Sequence, residues 1–153
     1  MASWLAIIEG SALAAGVRDS LVLTAGLSAI HVVGFTLTMG GALLANLRLA
    51  GALFRDRSVP EIVAPALAVT RWGLGVSVLT GILLFAPRAT AAGANATFRL
   101  KMALLLAAAV YQLALVRSVA RSAPGARTMA TGIGGLALWA SLAATACAYI
   151  LLE

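Results

Sequence analysis

The feature that most constrains this chain is an apolar run over residues 21–44, in which His31 is the only ionisable side chain. An α-helix rises about 1.5 Å per residue, so such a run can cross the roughly 30 Å hydrocarbon core of a bilayer. Three further runs of this kind follow, at residues 68–86, 100–116 and 129–152. The sequence therefore predicts an all-α fold, an integral membrane four-helix bundle that forms one domain over residues 1–153.

Composition favours a bilayer location and narrows the chemistry. Of the 153 residues, 62% are hydrophobic and 10% are charged, whereas soluble domains carry about 25% charged residues. The single cysteine, Cys147, excludes an intrachain disulfide and a Cys-x-x-Cys site. Paired carboxylates, a phosphate-binding loop and a metalloprotease helix motif are also missing from the sequence, so no catalytic residue is predicted.

The segment before the first run is apolar over residues 4–17 but is too short to cross a bilayer. It carries Glu9 and is followed by Arg18 and Asp19. An amphipathic helix lying in the membrane interface is the predicted structure.

The net charge of +6 predicts an orientation. Basic residues are more numerous in the loops between runs one and two and between runs three and four, and such loops are usually cytoplasmic. These basic residues are Arg48, Arg55, Arg57, Arg117, Arg121 and Arg127, against Arg18, Arg88, Arg99 and Lys101 on the other side. We expect a multi-pass protein of a bacterial inner membrane with both termini in the periplasm. Because no aromatic residues are interleaved with the basic ones, a nucleic-acid partner is not expected.

One stripe of the first run is polar for a membrane helix. Its members recur at steps of four and three residues: Thr24, Ser28, His31, Phe35, Thr38 and Ala42. Hydroxyl and imidazole groups that faced lipid would lack hydrogen bonds, so the stripe is predicted to face other helices. His31 lies near the middle of the predicted span, and an ionisable residue at that depth is a functional hypothesis.

Several roles stay open for His31. It can be a packing residue that hydrogen-bonds a neighbouring helix, a ligand of haem b or of a metal such as copper, or part of a proton or quinone site. Haem with two axial ligands needs a second ligand from a Met or another chain, because this chain has one His. Copper is less favoured than haem, since the chain is poor in Met and His. The candidate cofactor-binding residues are His31, Ser28, Thr38 and Lys101, and the candidate metal ligand is His31.

Two further features concern helix packing and the only lysine. Gly73, Ser77 and Gly81 recur at steps of four, a ridge that lets another helix approach closely. Lys101 lies near the start of the third run. It is predicted to anchor the span at the interface, to pair with Glu9, or to contact a lipid headgroup or a quinone carbonyl.

Several short motifs together resemble a known group of proteins. They are His31-Val-Val-Gly, Asn46-Leu-Arg-Leu-Ala-Gly, Thr80-Gly-Ile-Leu-Leu-Phe and Phe98-Arg-Leu-Lys. They resemble a family of small, functionally uncharacterised four-helix bacterial membrane proteins, itself similar to the membrane domain of copper-resistance D proteins. In such relatives an Asp usually precedes Leu-Arg-Leu, where this chain has Asn46. The resemblance implies the architecture and marks His31 and Lys101 as positions of interest.

The expected function is that of a small integral membrane subunit or accessory protein of a larger, redox-associated assembly. With one His, one Cys and no carboxylate inside a predicted span, the chain is poorly equipped to catalyse a reaction alone. Its expected partners are the lipid bilayer and other membrane subunits or further copies of itself. The alternatives are an electron-transfer protein that binds haem b or quinone through His31, and a small metal or proton transporter.

Overall fold

The structure, a computed structural model, describes residues 4–121 and 125–152, with the side chains of residues 115 and 149–152 left undescribed. Within this part the chain forms helices and turns and no strand. The α-helices are α1 (Trp4–Glu9), α2 (Ala12–Asp19), α3 (Leu21–Leu49), α4 (Val59–Phe85), α5 (Ala89–Ala94), α6 (Ala96–Val110), α7 (Arg117–Val119) and α8 (Ala126–Leu152). A 3₁₀ turn at Ala86–Arg88 joins α4 to α5, and a π-helical segment at Tyr111–Val116 joins α6 to α7.

Four helical stretches in the described part are long and apolar enough to cross a membrane, as the sequence predicted. They are α3, α4 with its continuation to Ala94, α6 with its extension to Val119, and α8 as far as Ala148, and they pack in a bundle-like arrangement. Successive long helices run in opposite directions. The end of the bundle that holds the start of α3 is called the outer end below, and the opposite end the inner end.

The N-terminal segment forms two short helices where one was predicted. The break falls at Gly10 and Ser11, because the Ser11 hydroxyl donates to Ile8 O (2.7 Å) and accepts from Ala14 N (3.3 Å). One side chain thus ends α1 and caps the start of α2.

Glu9 fastens α1 to the start of α5. Its carboxylate accepts a hydrogen bond from Thr90 N at 2.8 Å. Hydrogen bonds from Thr90, through its side chain and then its backbone, lower the pKa of Glu9 below its usual range, since they stabilise the ionised form. The sequence predicts Lys101 as one possible partner of the Glu9 carboxylate. In the structure this carboxylate lies against the N-terminus of α5.

The boundaries of α3 and α4 differ from the predicted ones. Helix α3 continues five residues past residue 44 and buries Asn46 and Arg48, which were expected in a loop. The Arg48 guanidinium donates to Arg57 O (2.5 Å), so the end of α3 holds the loop that follows it. Helix α4 starts at a capping box formed by Ser58 and Glu61 and continues through Pro65, which is exposed. A proline costs one backbone hydrogen bond there, and the helix remains continuous.

The closest helix pair is α3 with α4. A β-carbon added at Gly73 would lie 2.6 Å from Thr38 N, and one added at Gly41 would lie 2.6 Å from Ala66 O. These distances are far below van der Waals contact, so the two backbones touch and only glycine fits at these positions. The predicted ridge is confirmed as part of this interface, since Ser77 donates to His31 O (3.3 Å) and Gly81 faces the His31 ring.

The other helices assemble around this pair. Helix α8 packs on α3 and on α6, and the π-helical segment reaches α3, α4 and α8 near the inner end. Two clusters of buried apolar residues result. The inner cluster contains Ala45, Leu49, Val59, Val63, Ala66, Leu67, Val116 and Ala120, and the middle cluster contains Ala42, Ala108, Trp139 and Leu142.

The contact between α3 and α4 predicts opposite effects for two glycines of one helix. Gly73→Ala should lower the free energy of unfolding by about 1–3 kcal/mol, because its β-carbon overpacks the interface. Gly75 is exposed with open space around it, so Gly75→Ala should raise stability by up to about 1 kcal/mol through helix propensity. Denaturant titration in mixed micelles measures both variants. Equal effects would contradict the described packing.

Candidate functional site

His31 lies on the half of α3 near the outer end and faces α4. Its Nδ1 is 3.0 Å from Thr80 Oγ1, and that hydroxyl donates its proton to Val76 O at 2.7 Å. With the hydroxyl proton directed to Val76 O, the hydroxyl oxygen accepts a hydrogen bond from His31 Nδ1–H. In the neutral imidazole the lone pair is therefore on Nε2.

The Nε2 atom of His31 is available to a ligand. Among the described residues it has no hydrogen-bond partner, and the ring itself is only half-buried. A histidine whose Nδ1–H is fixed by a second residue while Nε2 is left open has the arrangement found in ligating histidines. The geometry can therefore hold a ligand that is coordinated, or that donates a hydrogen bond, at Nε2.

Lys101 is close enough to His31 to act on the imidazole electrostatically. Its Nζ lies 5.9 Å from the centroid of the Phe98 ring, and Phe98 stacks on Phe85 with 5.5 Å between centroids. These contacts connect the start of α6 to the end of α4.

Ser28 and Thr38, the other predicted cofactor-binding residues, have partners within α3. Ser28 is exposed and donates to Thr24 O (2.8 Å). Thr38 is buried, donates to Gly34 O (2.8 Å) and packs against Gly73. Of the residues predicted to bind a cofactor with His31, the structure thus brings only Lys101 towards it. The hydroxyls of Ser28 and Thr38 donate hydrogen bonds within α3.

Clustered metal ligands do not occur in the part of the chain that the structure describes. No group of three or more His, Cys, Asp and Glu residues lies together there. Cys147 is exposed on α8. A metal at His31 would therefore need its other ligands from Met residues, solvent or another chain.

A second polar centre lies near the inner end and was not predicted as a site. Asn46 Nδ2 donates to Gln112 Oε1 (2.9 Å) and to Ala42 O (2.8 Å), and Trp139 Nε1 donates to the same Gln112 oxygen (3.0 Å). An indole N–H can only donate, so the Gln112 atom that it faces is the oxygen. This amide cluster of Asn46, Gln112 and Trp139 joins α3, the π-helical segment and α8 through buried side chains.

Two polar atoms of the amide cluster form no hydrogen bond in the described structure. Asn46 Oδ1 and Gln112 Nε2 are buried without a partner in the described structure. The Asn46 amide lies directly against Gly135 of α8, where a larger residue would not fit. Gln112 lies in the π-helical segment, a distortion that is frequent at functional sites. The sequence does contain a feature that could have paired these two residues. Asn46 and Gln112 both lie within four residues of the inner ends of their predicted spans, so they are at a similar depth in the membrane.

Comparison with known proteins adds no relative. No protein-family model, no curated protein and no solved structure matches this chain. The family resemblance of the short motifs stays a prediction, and function has to be argued from the geometry.

The amide cluster predicts a measurable effect for one hydrogen bond. Trp139→Phe keeps an aromatic ring in the middle cluster but removes the donor to Gln112. We expect it to lower the free energy of unfolding by about 0.6–1.7 kcal/mol, from the average to the maximum measured for hydrogen bonds between membrane helices. Trp72→Phe is the control, because Trp72 is exposed on α4 and should be neutral. Equal stability of the Trp139 variant and the wild type would contradict the cluster.

Proposed function

We propose that this chain is a small integral membrane accessory subunit of a bacterial inner membrane, which binds other membrane helices through the outward side of α8. The surface, called the α8 face, consists of exposed residues on one side of the helix: Ala126, Met129, Ala130, Ile133, Ala137, Ala140, Ser141, Ala144 and Cys147. Seven of these nine residues are small. Small residues let helix backbones approach closely within a membrane.

The contrast between α8 and the other long helices carries this proposal. Those helices expose large apolar side chains, among them Leu21, Val32, Trp72, Leu79, Ile82, Leu106 and Val110. Large side chains cover a helix that faces lipid. Helix α8 also exposes Met129 and Ile133, but after Ile133 every exposed side chain in its described part is small, although lipid would accept large ones equally well.

The α8 face is also separate from the core of the bundle. Trp139 and Leu142 are buried in the middle cluster and lie on the opposite side of the same helix. A partner helix can therefore pack on the α8 face without disturbing the interior.

The orientation predicted from the basic residues is part of the proposal. It places the arginine-rich inner end in the cytoplasm and the outer end, with His31 and Lys101, towards the periplasm. The chain termini themselves, residues 1–3 and 153, lie outside the described residues. The arginines of the inner end support this orientation, because basic loops are retained on the cytoplasmic side.

Enlarging the α8 face should abolish assembly without unfolding the protein. We expect Ala140→Leu/Ala144→Leu to release the chain from its complex, because two leucines on one stripe keep a partner backbone at a distance. The control is Ala103→Leu/Ala107→Leu, the same change at the same spacing on the exposed side of α6. Size-exclusion chromatography in mild detergent and native electrophoresis measure the assembly.

Cys147 allows the partner to be trapped without engineering. It is the chain's only cysteine and lies on the α8 face, so a cysteine-reactive crosslinker applied to native membranes should join it to the bound helix. A product of twice the mass identifies a second copy, and another mass identifies a different subunit. A monomer that forms no product in either measurement would contradict the proposal.

A second candidate function is binding of haem b or a quinone through His31. The observation that favours it is the open Nε2 of His31, whose Nδ1–H is held by Thr80. Lys101 supplies a positive charge nearby that suits a carbonyl or a carboxylate of such a ligand. Because the chain has one His, a second axial haem ligand would come from a Met or from a partner chain, which agrees with a role as a subunit.

Spectroscopy and extraction test this second candidate. Protein purified in mild detergent should show a Soret band, or release a quinone into organic solvent, and His31→Ala should lose either signal. Ser28→Ala should keep it, since Ser28 is exposed and bonds to its own helix. A colourless preparation free of quinone would remove this candidate and leave the first one intact.

A further inference from the structure

A cleft near the inner end combines three arginines with an apolar floor. It lies between α4 and α7, and its volume is about 300 Å³. Arg71, Arg117 and Arg121 line it, together with apolar residues that include Val63 and Leu67. In the described part of the chain no carboxylate lines this cleft.

The three guanidinium groups have no partner of their own. Within residues 4–121 and 125–152 none of them forms a hydrogen bond or an ion pair. Other arginines of the chain do have partners, since Arg57 pairs with Asp56 at 3.5 Å and Arg48 donates to a carbonyl. Three like charges around one cleft repel one another, and a bound anion would remove that cost.

The three arginines come from two parts of the chain that border the same cleft. Arg117 begins α7, and Arg121 lies in the turn that follows this helix. Arg71 belongs to α4, whose N-terminus is at the inner end, and side chains lean towards the N-terminus of their helix. Its long side chain can therefore extend along the apolar surface towards the other two arginines.

The apolar floor identifies the kind of anion. The surface between the arginines is formed by Val63, Leu67 and Ala120, which offers nothing to the hydration shell of a free inorganic anion. A molecule with a phosphate and an attached apolar part satisfies both the arginines and the floor. Basic pockets between membrane helices on the cytoplasmic side are suited to lipid headgroups.

We propose that this cleft binds the phosphate of an anionic phospholipid from the cytoplasmic leaflet, with the glycerol and the first part of an acyl chain over the floor. The site rests on the membrane location and orientation proposed above. It does not involve the α8 face or His31.

Titration with single lipids tests the site on the full chain in detergent. Phosphatidylglycerol should bind more tightly than zwitterionic phosphatidylcholine, as measured by native mass spectrometry. Arg117→Gln/Arg121→Gln should weaken phosphatidylglycerol binding about 30-fold, from the worth of two arginines near an anionic lipid converted to an affinity ratio. The matched control, Arg55→Gln/Arg127→Gln, removes the same charge from exposed positions outside the cleft and should change binding less than twofold.

Other outcomes overturn the proposal. Equal weakening in the control would show general attraction to positive charge, and equal binding of the two lipids would show no headgroup recognition. Displacement of phosphatidylglycerol by glycerol 3-phosphate at a similar concentration would show a site for free phosphate compounds. Arg71→Gln, tested on its own, should weaken binding about fivefold and guards against misfolding of the double variant. Ala140→Leu/Ala144→Leu should keep full lipid binding, so failure of the docking proposal is recognised separately.

Discussion

Direct backbone contact between α3 and α4 is the constraint on which the rest of the structure depends. At Gly34, Gly41 and Gly73 an added β-carbon would overlap backbone atoms of the other helix. Because both helices touch over several turns, their register has little freedom. That register places Thr80 opposite His31 at 3.0 Å. A shift of one residue along α4 would remove this hydrogen bond to Nδ1. The arrangement that leaves Nε2 open therefore depends on the packing of Gly73, two turns before Thr80 on α4.

The local sequence pattern was sufficient to predict the helices, but it was insufficient to predict where they end. The apolar runs and the small-residue ridge of α4 each depend on neighbours in sequence, and each was predicted. The end of α3 was not, because Asn46 and Arg48 have the composition of a solvated loop. They are buried because Gln112, Trp139 and the Arg57 carbonyl come to them from distant parts of the chain. Such partners cannot be derived from one stretch of sequence.

The candidate site shows the same division. His31 and Lys101 were predicted because an ionisable side chain in an apolar run needs a reason to be there, and the structure places the charge of Lys101 within electrostatic reach of the His31 imidazole. Ser28 was chosen from helical periodicity alone. Periodicity assigns a residue to a face of α3, but whether a neighbour covers that face changes along the helix. Near His31 α4 covers it, and one turn before His31 the face is open, so Ser28 is exposed.

Helix α8 carries small residues on two of its sides, one that packs inside the bundle and one that is exposed. Towards α3 it presents Gly132 and Gly135, which make room for Asn46, and outwards it presents the α8 face. Trp139 and Leu142 hold α8 in the bundle through the middle cluster, and the hydrogen bond from Trp139 to Gln112 adds to this contact. A partner packed on the α8 face would add contacts on the outer side of the helix and press α8 towards Asn46. Binding of a partner and order in the amide cluster should therefore stabilise each other, which is the thermodynamic requirement for coupled sites.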